Sequence, residues 1–70
     1  MEVFCIWFYD GSTYINTERL FATYDGAERW IVTHKACQMW ITDDGEVIYV
    51  NPYGKPGEFY EIDTIEVCDS

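Results

Sequence analysis

Residues 3–9 read Val-Phe-Cys-Ile-Trp-Phe-Tyr, a run without a single charge. Bulky, aromatic and β-branched side chains of this kind favour a strand. In a strand, Val3, Cys5, Trp7 and Tyr9 point one way and Phe4, Ile6 and Phe8 point the other. Both sets are apolar, which places the strand inside a sheet and covered on at least one side. Asp10-Gly11-Ser12 ends it. This segment commits the chain to a β-rich architecture, in which other strands must flank it.

The rest of the sequence supplies them in order. Tyr14-Ile15-Asn16-Thr17 continues a mobile or bulged hairpin, and Arg19 to Thr23 reads as a second strand. A helix comes next, over about 25–35. Thr23 or Asp25 caps it, and Asp25 with Glu28 has the capping-box spacing. Ala27, Trp30, Ile31 and His34 recur at i, i+3, i+4 and i+7, one helical face. Lys35 lies in the last turn, where a cation suits the helix dipole. The period then changes to two: Cys37, Met39 and Ile41 alternate with Gln38, Trp40 and Thr42. Asp43-Asp44-Gly45 marks a tight hairpin, and Glu46 to Val50 returns. Residues 51–57, with two prolines and two glycines, form a loop. Glu58 to Val67 closes the chain as a strand. Phe59, Ile62, Ile65 and Val67 differ in parity there, and a β-bulge would reconcile them. The expected fold is α+β: an antiparallel sheet in the order β-β-α-β-β-β with one helix packed on one face.

Seventy residues make a single domain over 1–70. Thirteen aromatic side chains exceed what so small a core encloses, so several are expected at the surface. Thirteen acids against four bases give a net charge of -9. Such a chain is not expected to bind nucleic acid directly, since phosphate neutralisation needs clustered Lys and Arg. It is drawn to basic surfaces instead, including the grooves in which other proteins hold nucleic acid. The apolar run behind Met1-Glu2 lacks a basic front and a cleavage site, and it is too short to span a bilayer. Three cysteines in no regular spacing do not make a disulfide framework. Together these features suggest a reducing compartment, the cytoplasm of the cell or host cell, and no membrane.

Candidate chemistry is sparse. His34 and Cys37 are the one conceivable base–nucleophile pair, and a helix-end His beside a small apolar strand residue explains them better. Cys5, His34, Cys37 and Cys68 form a candidate Cys₃His zinc set, but only one short ligand spacing is present. Gly54-Lys55-Pro56-Gly57 lacks a phosphate-loop pattern. The expectation is a protein that is not an enzyme and uses no cofactor.

The acids carry the remaining signal. Asp43, Asp44 and Glu46 gather at a hairpin, and Glu58, Glu61, Asp63, Glu66 and Asp69 gather near the end. Alternate strand residues lie about 6.6–7 Å apart, so carboxylates on one strand face can imitate a row of phosphates. Glu61 and Asp63 share one face, and Glu58 and Glu66 share the opposite one. With Tyr49, Tyr53 and Trp40 as aromatic anchors, these acids are the candidate partner-binding residues. A solvated edge protected by charge is the plain alternative.

Leu20-Phe21-Ala22-Thr23, Ala27-Glu28-Arg29-Trp30-Ile31 and the closing Phe59-Tyr60-Glu61-Ile62-Asp63-Thr64-Ile65-Glu66-Val67 carry a family likeness. The layout resembles small phage-encoded proteins built as β-hairpin, helix, β-hairpin. In size, charge and lack of catalytic residues the chain is similar to anti-CRISPR and other anti-defence inhibitors. The resemblance implies a partner that is a basic host protein, a nucleic-acid-binding defence complex blocked by phosphate mimicry. A homodimeric structural or accessory module, paired through an aromatic strand face, is the alternative, and a zinc-binding protein is a third.

Overall fold

The computed structural model describes residues 1–68. Five strands, β1 (Glu2–Tyr9), β2 (Tyr14–Phe21), β3 (Gln38–Ile41), β4 (Val47–Val50) and β5 (Phe59–Glu66), form one antiparallel sheet in the spatial order β2-β1-β5-β4-β3. One helix, α1 (Tyr24–Lys35), packs on one face. The apolar first strand is therefore internal, bonded to β2 on one side and to β5 on the other.

The β1–β5 ladder runs unbroken from Glu2↔Glu66 to Tyr9↔Phe59. This corrects the bulge expected in the last strand. Paired residues share a face, so Ile6 with Ile62 and Phe8 with Tyr60 lie under the helix. Val3 with Ile65 and Tyr9 with Phe59 lie on the opposite, open face. The mixed parity of apolar residues in β5 thus reflects apolar groups on both faces. The irregularity is in β2 instead. Cys5 pairs with Leu20 and Trp7 with Asn16, so Thr17, Glu18 and Arg19 stand against Ile6 alone. Glu18 takes a left-handed φ of 62° there, its N–H held by Asn16 Oδ1 at 2.7 Å. Thr17 Oγ1 donates to the Ile6 carbonyl at 2.8 Å.

Thr23 is the residue that caps the helix. Its φ and ψ of -133° and 153° are extended, and its Oγ1 accepts from Gly26 N at 3.0 Å. The Asp25–Glu28 box does not form, because the helix already begins at Tyr24 and Asp25 lies inside its first turn. Ala36 ends the helix in the left-handed region at φ 53°. Ala27 and Ile31 are buried against Ile6, Cys37 and Tyr49, with Phe4, Phe21, Trp30, Tyr60 and Ile62 packed around them. His34, expected on the same face, is exposed. Its ring stacks on Trp30, 5.5 Å between centroids.

The helix packs against β1, β2 and β5. What ties β4 to it is Tyr49, whose side chain is 0% exposed. The Tyr49 hydroxyl donates to Glu28 Oε2 at 2.6 Å. With that proton committed, the Tyr24 hydroxyl donates to Tyr49 at 2.8 Å. Burial, then the Glu28 and Tyr24 hydrogen bonds, push the Tyr49 phenol far above its ordinary range, so it stays protonated. Tyr49→Phe keeps the packing but leaves both helix residues without their shared partner. It should destabilise the protein by about 1–2 kcal/mol, the scale of a hydrogen bond to a partly exposed charge. Urea unfolding of the variant measures this, and an unchanged midpoint would remove Tyr49 as the helix anchor.

Candidate functional site: an acidic and aromatic sheet face

The face of the sheet away from the helix is open. Trp7 and Tyr9 of β1, Tyr14 and Leu20 of β2, Phe59, Glu61 and Asp63 of β5, Ile48 of β4 and Trp40 of β3 share it by register. Tyr9, Tyr14 and Phe59 pack as a cluster, with Tyr9 4.8 Å from Tyr14 and 5.0 Å from Phe59 between ring centroids. Beside it Trp7, Tyr14, Glu61 and Asp63 line a shallow hollow. Leu20 and Trp40 stand largely exposed at the two flanks.

The expected acidic row is partly present. Glu61 and Asp63 share the open face. Glu46, the residue before β4, lines a neighbouring hollow with Glu61 and raises the Glu61 pKa through its charge. Asp43 and Asp44 sit at the hairpin tip, where Gly45 has a φ of 87°. Asp44 accepts a hydrogen bond from Thr42 Oγ1, which holds its carboxyl below the usual range. Its role is local to the turn. Glu58 precedes β5 at the far end of the strand from Glu66. Glu66 pairs with Glu2, and the α-amino group lies 3.3 Å from its carboxylate. Glu58 and Glu66 therefore do not form a second row. Asp69 lies outside the described residues.

Two aromatic anchors divide. Tyr53 is 95% exposed on the loop before β5. Tyr49 is a core residue and offers no surface to a partner, which corrects its place among the binding candidates. The parity that puts Tyr49 under the helix puts Ile48 outside. Sequence reading missed Tyr14, whose hydroxyl donates to Glu61 Oε1 at 3.3 Å. The signal was the pairing Tyr9↔Tyr14 across the first turn, which is visible only once that hairpin is closed at Asp10.

The cysteines and the histidine do not converge. Cys37 is buried under the helix, while Cys5 pairs with Asp63 on the opposite side of the sheet and Cys68 is exposed. Among the described residues, no three of His, Cys, Asp and Glu are placed to hold a metal ion. Cys5 and Cys37 of the candidate zinc set thus lie on opposite faces of the sheet. Cys37 Sγ donates to the Lys35 carbonyl at 3.5 Å, and His34 Nδ1 meets the Trp30 carbonyl at 3.3 Å. Burial pushes the Cys37 thiol up, away from the nucleophilic thiolate. Among the described residues no helix is long and apolar enough to cross a membrane.

Basic side chains do not answer the acids. Arg19 lies over the Trp30 ring at 4.8 Å and Lys35 at 5.4 Å. The only ion pair among the described residues joins the α-amino group to Glu66. Glu61 thus carries its charge beside Glu46 and Asp63 with no cation against it. The chain matches no family model, no curated protein and no solved structure.

Partial burial raises the Glu61 pKa above its ordinary 4.5, the Tyr14 hydroxyl pulls it down, and Glu46 and Asp63 push it further up. A carboxyl raised in the native state favours folding below its unfolded pKa, and that contribution is lost as pH rises through the native value. Ionised Glu61 therefore costs stability at neutral pH. Glu61→Gln should raise the urea midpoint at pH 7 and change little well below pH 4.5. Equal midpoints for the two proteins at neutral pH would show that the charge is not strained.

Proposed function

We propose that the protein is a non-enzymatic inhibitor whose open sheet face docks on a basic, nucleic-acid-binding surface of a host defence complex. The observation that carries this reading is the unanswered charge. Glu46, Glu61 and Asp63 stand together on or beside an aromatic face, while Arg19 and Lys35 are drawn off to Trp30. A carboxylate row of this kind supplies the field that a phosphate strand would supply, and it steers a basic partner at long range. Tyr14, which donates to Glu61, and Trp40 share that face, so affinity has aromatic sources on the surface that carries the charge.

The anti-CRISPR reading rests on the resemblance in size, charge and strand layout, and on this face as the working surface. A cationic groove set against Glu61 would favour its ionised form, so the repulsion from Glu46 and Asp63 would be relieved on binding. Occupancy alone is then enough to inhibit, since the nucleic acid and the acidic face compete for one groove.

The test is a plating assay in bacteria whose nucleic-acid-guided defence targets an infecting phage. Wild-type protein should restore plaques, and the charge reversal E61K/D63K should abolish that protection. The neutral pair E61Q/D63N should weaken it while leaving the far-UV circular dichroism unchanged. Full protection by a folded E61K/D63K protein would sink the proposal.

A further inference from the structure

The two edges of the sheet are built differently. β2 forms one edge and is interrupted by the three residues set against Ile6, with Glu18 in a left-handed conformation and charges on Glu18 and Arg19. Kinks and charges of this kind keep a strand from accepting another. β3 forms the other edge. Gln38-Met39-Trp40-Ile41 has no charge and no proline, and its pairing with β4 is regular. Met39, Trp40 and Ile41 are 56%, 63% and 58% exposed, on both faces of the strand.

The hairpin determines which backbone groups of β3 are free. Thr42 N donates to the Glu46 carbonyl at 2.8 Å, so these two make a hydrogen-bonded pair. Such pairs alternate with non-hydrogen-bonded ones along an antiparallel ladder. Trp40, opposite Ile48, is then bonded inward. Met39 and Ile41, opposite Tyr49 and Val47, turn their N–H and C=O groups away from β4. An incoming strand must set its own outward-turned residues against these two.

We infer that β3 pairs antiparallel with β3 of a second copy of this chain, Trp40 against Trp40 across a two-fold axis and Met39 against Ile41 in both directions. Three observations select a second copy. The free backbone groups lie symmetrically about Trp40, so the strand is its own complement and four N–H···O bonds close. The chain enters β3 from Lys35 and leaves it into Asp43 and Asp44. Antiparallel self-pairing therefore sets the acidic end of each strand beside the basic end of the other, which offsets the repulsion between two acidic chains. The side chains also match, since Met39 and Ile41 share one face of β3 and Trp40 has the other. The register keeps like faces together, so both open faces lie on one side of a ten-stranded sheet. The contact is small by the standard of stable interfaces, so the dimer dissociates on dilution.

Sedimentation velocity from about 1 μM to about 1 mM tests the association. The expected result is a monomer that becomes a dimer as concentration rises. Ile41→Pro deletes an outward N–H without touching the β3–β4 ladder, and Met39→Lys places a charge against Ile41. Each should weaken association at least about tenfold, roughly the 1.4 kcal/mol of one or two lost interface contacts. A chain that stays monomeric throughout, or variants that keep their fold and associate like wild type, would overturn the inference. The register has its own test in a Cys68→Ser background, which removes the exposed thiol. The non-hydrogen-bonded Trp40 pair places Cα atoms about 4.5 Å apart, within disulfide reach. Trp40→Cys should cross-link on oxidation, and Met39→Cys alone should not. Cross-linking of Met39→Cys in preference to Trp40→Cys would overturn the register.

Discussion

A helix of twelve residues is about 18 Å long and about 10–12 Å across. Five strands at about 4.8 Å spacing span about 19 Å between the outer two, before side chains are added. One helix cannot cover that sheet on even one face. The coverage it does give falls on β1, β2 and β5, where Ile6, Ile62 and Phe21 meet Ala27, Ile31 and Trp30. Everything beyond that patch reflects the shortfall. Among the described residues β4 keeps a single buried anchor in Tyr49, β3 keeps none, and nothing covers the far face of the sheet. The long dimension of 43 Å against 23 and 22 Å is the shape of a sheet with too little helix.

Charge obeys the same geography. Two of the chain's four basic side chains, Arg19 and Lys35, are engaged on the helix side. Trp30 offers Arg19 and Lys35 an aromatic surface, and His34 stacks on it. Each contact of this type is worth about 0.5–1 kcal/mol at an exposed site, comparable to an exposed ion pair. The folded chain is thus charge-separated at little cost in pairwise energy. The raised Glu61 pKa reflects partial burial first and, after it, repulsion from Glu46 and Asp63. A basic partner would relieve that repulsion, which no residue within the described chain does.

Much of the fold was legible in the sequence because its strongest signals are local. The charge-free run of residues 3–9 identifies an internal strand, and Ala27, Trp30 and Ile31 mark a helical face. Asp43-Asp44-Gly45 closes a hairpin for reasons contained in the turn itself. The errors lie where an outcome depends on distant parts. Tyr49 and Ile48 are both strand residues with large side chains, and only the position of α1 decides which is buried. Phe59 and Ile65 looked misplaced because a sheet with an open apolar face does not alternate apolar with polar. The bulge fell in Thr17-Glu18-Arg19, at the end of the bulged hairpin expected over Tyr14 to Thr17, and not in the last strand. In the candidate site, Glu61 and Asp63 were readable from their spacing alone. Glu46 joins them because of strand order, which local composition does not encode.

The bare edge and the acidic face are linked by the parity of the ladder. Because Met39 and Ile41 carry the free backbone groups, self-pairing preserves like faces, and the two acidic rows of a dimer point the same way. Five strand spacings separate one β5 from the other, about 24 Å. Two rows at that separation would engage a repeating basic surface with the second contact made intramolecular, so affinity would grow beyond that of either face. Weak self-association would then make the strength of binding depend on the amount of protein present. A small chain with a thin core would gain by assembly what it lacks in a single surface: area, charge density and a reason for leaving β3 uncovered.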